Sequence, residues 1–163
     1  MKKILKGLNC FSNLITLFFI VILAILPVQA WSNGGYSNDP YNPAYGTHDW
    51  IAQKAIDFLP QKEKQYILDN LASYLYGTEL PDNPKGIGDY WNHHVYFYFN
   101  GSIMDDGSAI RSEEEYRNTL SFLRSGDYVN ASKNAGIMTH YISDVAVFGH
   151  VMGNSTPWGV EKH

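Results

Sequence analysis

Apolar residues recur three and four positions apart through most of the chain after Thr47, a period that belongs to helices and not to strands. Ile51, Ala55, Ile56 and Leu59 follow it between Thr47, which can cap a helix, and Pro60, which stops one. The spacing predicts a helix over His48–Leu59. It predicts a second over Gln61–Tyr76, with Ile67, Leu68, Leu71 and Leu75 on one side and Gly77 after its end. A third covers Ser112–Arg124, opened by a capping box of Ser112 and Glu115. The longest covers Tyr128–Phe148, entered through Asp127 and ending near Gly149. Stretches 31–47, 77–88 and 153–163 hold Gly, Pro and Asn in loop-forming patterns. Tyr90–Phe99 is rich in aromatics and reads as extended chain or a short helix. The expected architecture is all-α, in one domain with long functional loops.

The first thirty residues have a different character. Lys2, Lys3 and Lys6 precede an apolar run from Leu14 to Leu26, broken by Thr16 and followed by Pro27 and Val28-Gln29-Ala30. That is the order of a secretory signal peptide with a small-residue cleavage site. The run is shorter than the roughly 20 residues that span a bilayer. The reading assigns 1–30 to a signal peptide and 31–163 to the domain, exported to the extracellular side. An uncleaved anchor over Phe11–Ala30 is the alternative, weakened by Ser12, Asn13, Pro27 and Gln29. Cleavage makes Trp31 the new N-terminus.

Removing the three leader lysines from 12 basic side chains leaves nine against 16 acidic ones, a formal charge of −7. That balance is the reverse of a nucleic-acid-binding surface. Cys10 is the sole cysteine, so neither a disulfide framework nor a thiolate zinc site can form. A metal would have to be held by His, Asp, Glu or the backbone.

His140 and Asp144 stand four apart on the longest helix, a spacing that brings both side chains to one face. The same spacing also serves ordinary surface pairs and hydrogen bonds. His150 lies six residues beyond Asp144, after Gly149, where a break would let the chain turn its imidazole back. His48 opens a helix, His93 and His94 sit in the aromatic stretch, and Asp82 lies between Pro81 and Asn83-Pro84. Each has a plain structural reading when taken singly.

Taken together, and in order, these segments resemble the secreted zinc-dependent phospholipase C family and, more distantly, the single-strand-specific nucleases that share its fold. The resemblance is carried by Trp31-Ser32, Thr47-His48-Asp49-Trp50-Ile51, Ala55-Ile56-Asp57, Asp82-Asn83-Pro84, His94-Val95-Tyr96, His140-Tyr141-Ile142-Ser143-Asp144-Val145 and His150. It implies an all-helical domain with up to three zinc ions. One would be held by Asp82, His94, His140 and Asp144. A second would be held by the amino nitrogen and carbonyl oxygen of Trp31, by His48 and by a bridging Asp144. The third would take His150, with His163 as the next His ligand and a later acidic residue. His94 is preferred to His93 because Val95-Tyr96 matches the family's aromatic run, which leaves His93 without a role. Asp82 would also act as general base toward a metal-activated water.

The sequence departs from that pattern in two places. The sequence ends at His163, before the expected acidic ligand and several further helices, so it reads as an incomplete domain, truncated at its C-terminus. The family's acidic residue just after the N-terminal Trp is replaced by Asn33-Gly34-Gly35, while Trp91 could form one aromatic wall of a headgroup pocket. The implied activity is cleavage of the glycerol–phosphate bond of a phospholipid at a membrane surface, with no protein partner evident. The spacings of 17 residues from Trp31 to His48 and 13 from His150 to His163 favour the phospholipase branch over the nuclease branch. A net negative charge argues against a polyanionic substrate. A non-catalytic zinc-binding envelope module is the reading from another class.

Overall fold

The computed structural model describes residues 35–98 and 100–152. Residues 1–34, with Trp31, and 153–163, with His163, lie outside the described residues. Within them the chain runs from an irregular segment into helix α1 (Thr47–Ile56), α2 (Gln61–Leu68) and α3 (Leu71–Glu79). A short antiparallel ribbon follows, β1 (Tyr96–Phe97) with β2 (Ile103–Asp105), then α4 (Gly107–Ser125), α5 (Tyr128–Asp144) and α6 (Phe148–Met152). The architecture is predominantly helical, as the apolar period requires. The ribbon is the one extended element among the described residues.

Helix α5 is the centre of the packing, with α3 and α4 against it and α1 resting on both α3 and α5. Ala52 and Ile56 of α1, Ile67 of α2, Tyr74 and Leu75 of α3 and Ala135 of α5 form one buried apolar cluster. Leu80, Ile137 and Tyr141 form a second beside it. Complete burial of an aliphatic side chain such as Ile56 or Ile137 contributes about 1.5–3 kcal/mol. Glycines set the spacing of the two middle helices. A Cβ on Gly77 would lie 3.1 Å from the Cα of Gly136, and one on Gly136 would overlap the Tyr74 carbonyl. Gly77 therefore lies inside α3, where it lets two backbones touch, and does not end the helix.

Several boundaries differ from expectation for local reasons. The stretch 61–76 is broken at Asn70, whose φ of −130° leaves the helical region and whose side-chain amide donates to the Tyr66 carbonyl. α1 has Gly46 at its N-cap, with the Gly46 N–H donating to Asp49 Oδ2 at 2.9 Å. α4 starts at Gly107, not Ser112. The Ser112 hydroxyl donates to the Ser108 carbonyl and Glu115 pairs with Arg111 at 2.7 Å, so the expected capping box does not form. α5 begins as expected, its N–H at Asn130 capped by Asp127. It ends at Asp144, four residues before the expected Phe148. The stretch 90–99 contributes β1, and the Tyr98–Ser102 turn that joins it to β2 has Gly101 at φ 82°, in the left-handed region open to glycine.

Candidate metal centre

Four stretches of chain meet at the C-terminal end of α5. His140 and Asp144, one turn apart, place His140 Nε2 3.2 Å from Asp144 Oδ2. His48, in the first turn of α1, brings its Nε2 3.3 Å from Asp144 Oδ1. His93, ahead of β1, brings its Nδ1 2.6 Å from Asp144 Oδ2 and 3.2 Å from His140 Nε2. Asp82, in the turn after α3, places Oδ1 3.6 Å from His140 Nε2 and 4.0 Å from His93 Nε2. His93, His140 and Asp144 are buried, and the rings of His48 and His140 stack with centroids 4.0 Å apart.

The outward nitrogens of the three imidazoles are all engaged. His140 Nδ1 lies 2.6 Å from the Thr78 carbonyl, which can only accept, so Nδ1 carries the proton. The His93 Nε2–H donates to the Asp89 carbonyl in the same way. His48 Nδ1 lies 2.7 Å from the Ser143 hydroxyl, whose own proton goes to the His140 carbonyl at 2.9 Å, so the hydroxyl oxygen accepts from His48. Each ring therefore turns a nitrogen lone pair toward the Asp144 carboxylate. A lone pair facing a carboxylate oxygen requires a cation between them, either a proton or a metal ion. Fixing the second nitrogen on a protein acceptor is how metal-binding imidazoles are held in the required tautomer and orientation.

The electrostatics agree. Burial, and then the neighbouring His140, push the His48 pKa down to about 3, so that ring is neutral near pH 7. Burial lowers that of His93, but the Asp144 carboxylate outweighs it and the net shift is upward. Burial would raise the Asp144 carboxyl, but hydrogen bonds with His140 and His93 hold it well below the usual carboxylate range.

Two overlapping donor sets result. His48, His140 and Asp144 offer ligand atoms within 4.8 Å of one another, and so do Asp82, His93 and His140. Tetrahedral zinc with ligands at about 2.0–2.2 Å keeps those ligands about 3.3–3.6 Å apart. Most of the separations above fall at or near that range, and the donors are the nitrogen and carboxylate oxygen atoms that zinc accepts. The residues therefore fit zinc.

The structure places His93, not the expected His94, beside Asp144 and His140. His94 turns to the other side, its ring 5.2 Å from that of His150 and 4.6 Å from that of Tyr96. Adjacent residues in extended chain point in opposite directions, so one of the pair must face away. The hydrogen bond to the Asp89 carbonyl decides which. His150 is buried in α6, and its carbonyl accepts the Val95 N–H at 3.0 Å. It joins neither donor set. Thr78 orients His140 and Ser143 orients His48, and no pattern in the sequence assigns a role to either or to Asp49. Asp49 is fully buried, 2.9 Å from the Thr78 hydroxyl, and ties α1 to α3 behind His140. The Asp89-to-His93 spacing in a turn was the one available signal for His93.

A family model described as zinc dependent phospholipase C matches residues 47–163. No curated protein and no solved structure matches the chain. The match and the two donor sets together support a zinc-dependent, phosphodiesterase-type function in general terms. With well over half of its length covered by that match, the chain belongs to the zinc-dependent phospholipase C family.

Proposed function

We propose that the protein is a secreted phosphodiesterase of phospholipase C type that hydrolyses the glycerol–phosphate bond of phospholipids. The observation that carries this is the convergence of three tautomer-fixed imidazoles on the Asp144 carboxylate, with Asp82 alongside. Asp82, His93, His140 and Asp144 would hold one zinc ion. His48 and Asp144 would hold another, with the amino nitrogen and carbonyl oxygen of Trp31 after leader removal. His150 and His163 would belong to a third site. Zinc, when bound, supplies Lewis acidity toward a phosphate oxygen and lowers the pKa of a coordinated water.

The side chains of the chain divide the remaining work. The Asp82 side chain is 30% exposed, so water and substrate can reach it while its neighbours are buried. It accepts a proton from the attacking water as the new P–O bond forms. The glycerol oxygen leaves as the old P–O bond breaks and takes up a proton, giving diacylglycerol and a phosphorylated headgroup. Trp91, 83% exposed and two residues from His93, is placed to offer an aromatic face to the headgroup.

Asp82→Asn tests the reading in the processed protein. The carboxamide keeps size and one oxygen but is no effective base. Turnover on phosphatidylcholine should fall about 10²–10⁴-fold, while bound zinc falls by at most one ion. Unchanged turnover would assign water activation to another group. Turnover of single-stranded DNA but not of phospholipid would favour the nuclease branch, and zinc content without either activity a binding module.

A further inference from the structure

We propose that Asp89 is a positioning residue for the metal centre, fixing the His93 imidazole through both its carboxylate and its main-chain carbonyl. The inference rests on the reading of the cluster as a metal site. Asp89 Oδ1 accepts the backbone N–H groups of Trp91 and Asn92, each at 3.2 Å, and the Asn92 side-chain amide at 3.0 Å. This folds residues 89–92 into a tight turn around the carboxylate, and His93 leaves that turn. Oδ2 also accepts the Asn92 amide at 3.1 Å, and it reaches outward as well. It accepts the Tyr141 hydroxyl at 2.9 Å and faces Arg111 Nε at 3.6 Å. The Asp89 N–H donates to the Pro81 carbonyl at 2.8 Å, next to Asp82.

Asp89 therefore ties the loop bearing His93 to α5, to α4 and to the loop bearing Asp82. Tyr141 is fully buried, adjacent in sequence to His140, and its ring centroid lies 5.4 Å from that of His93. Arg111 is in turn held by Glu114 and Glu115 and sits over the Tyr141 ring at 5.4 Å. The Asp89 carbonyl then accepts the His93 Nε2–H. That bond makes Nδ1 the nitrogen that faces Asp144 and His140. A rotation of the turn would move both the carbonyl and the imidazole.

Asn at position 89 can still accept from Trp91 and Asn92, so it keeps the turn. It has no second acceptor oxygen for Tyr141 and no charge for Arg111. Tyr141→Phe removes the same tie from the other end. Each variant should bind zinc about 10–100-fold more weakly in a chelator competition, the range typical of substitutions at residues that orient metal ligands. Each should also shift the visible spectrum of the cobalt-substituted protein, and the double variant should be no worse than the weaker single. A purely structural role would lower the melting temperature but leave affinity and cobalt spectrum unchanged, and that result overturns the proposal. Nitrogen-15 NMR of the His93 ring in metal-free protein separates this proposal from the metal reading. Loss of the Nε2–H tautomer in both variants supports positioning even if the wild type takes up no zinc. Retention of that tautomer, with metal affinity unaltered, refutes it.

Discussion

One carboxylate facing three imidazoles is an unusual burden for a single buried residue. Asp144 accepts it because its partners are held elsewhere by Thr78, Asp89 and Ser143. His140→Ala should lower the zinc stoichiometry measured by elemental analysis, since His140 is common to both donor sets. Equal zinc in wild type and variant would make the His140–Asp144 pair a structural one. That pair was legible in the sequence because helical spacing alone brings the two side chains together. The choice between His93 and His94 was not legible. It depends on a backbone carbonyl, which every residue has, and on a turn whose carboxylate is anchored 52 residues away at Tyr141. The carbonyl of Thr78 leaves no mark in the sequence either.

At the level of elements, apolar periodicity located the helices and misjudged their ends. Ser112-x-x-Glu115 has the capping pattern, but inside a longer helix the same residues make an i−4 hydroxyl bond and an Arg111 pair. Gly77 has the look of a helix stop until Gly136 is known to lie against it. Gly136→Ala should therefore cost about 1–3 kcal/mol or more, because the new methyl meets backbone and not a side chain that can rotate away. Chemical denaturation measures that loss. Asp127 offers a gentler test at the start of α5. Hydrogen bonds from the Asn130 side chain and then its backbone hold the Asp127 carboxyl below its usual range. A lowered folded pKa means that the stabilisation is present above the unfolded value of about 3.9 and is lost as pH falls through the folded one. Asp127→Asn keeps a capping oxygen without the charge. Its melting temperature should lie below that of the wild type at pH 6, with the gap narrowing by pH 3. A gap that stays constant with pH would show that the charge contributes nothing.

For the whole molecule, the candidate centre joins residues 48, 82, 93, 140 and 144, so a metal bound there would bind the folded chain and not the unfolded one. Zinc at a hundredfold excess over its dissociation constant should add about 2.7 kcal/mol of stability by mass action. Calorimetry with added zinc, and then with a chelator, should show the melting temperature rise and fall again. The His140→Ala protein should respond far less. Among the described residues no helix is long and apolar enough to cross a membrane. Export is a prediction from the leader, and N-terminal sequencing of secreted material should read Trp-Ser-Asn-Gly-Gly. A start at any other residue would take away the proposed amino-terminal ligand.

The glycine crossing also works as a gauge. Gly77 precedes Thr78, whose carbonyl orients His140, and His140 lies one helical turn beyond Gly136. Where helices are kept apart by side chains, the gap between them varies as rotamers change or residues are exchanged. Here backbone rests on backbone, and the gap is fixed by atomic radii. Replacements elsewhere in the core can be absorbed by repacking around this contact. The short reach from Thr78 to the imidazole of His140 thus sits beside two residues that lack side chains.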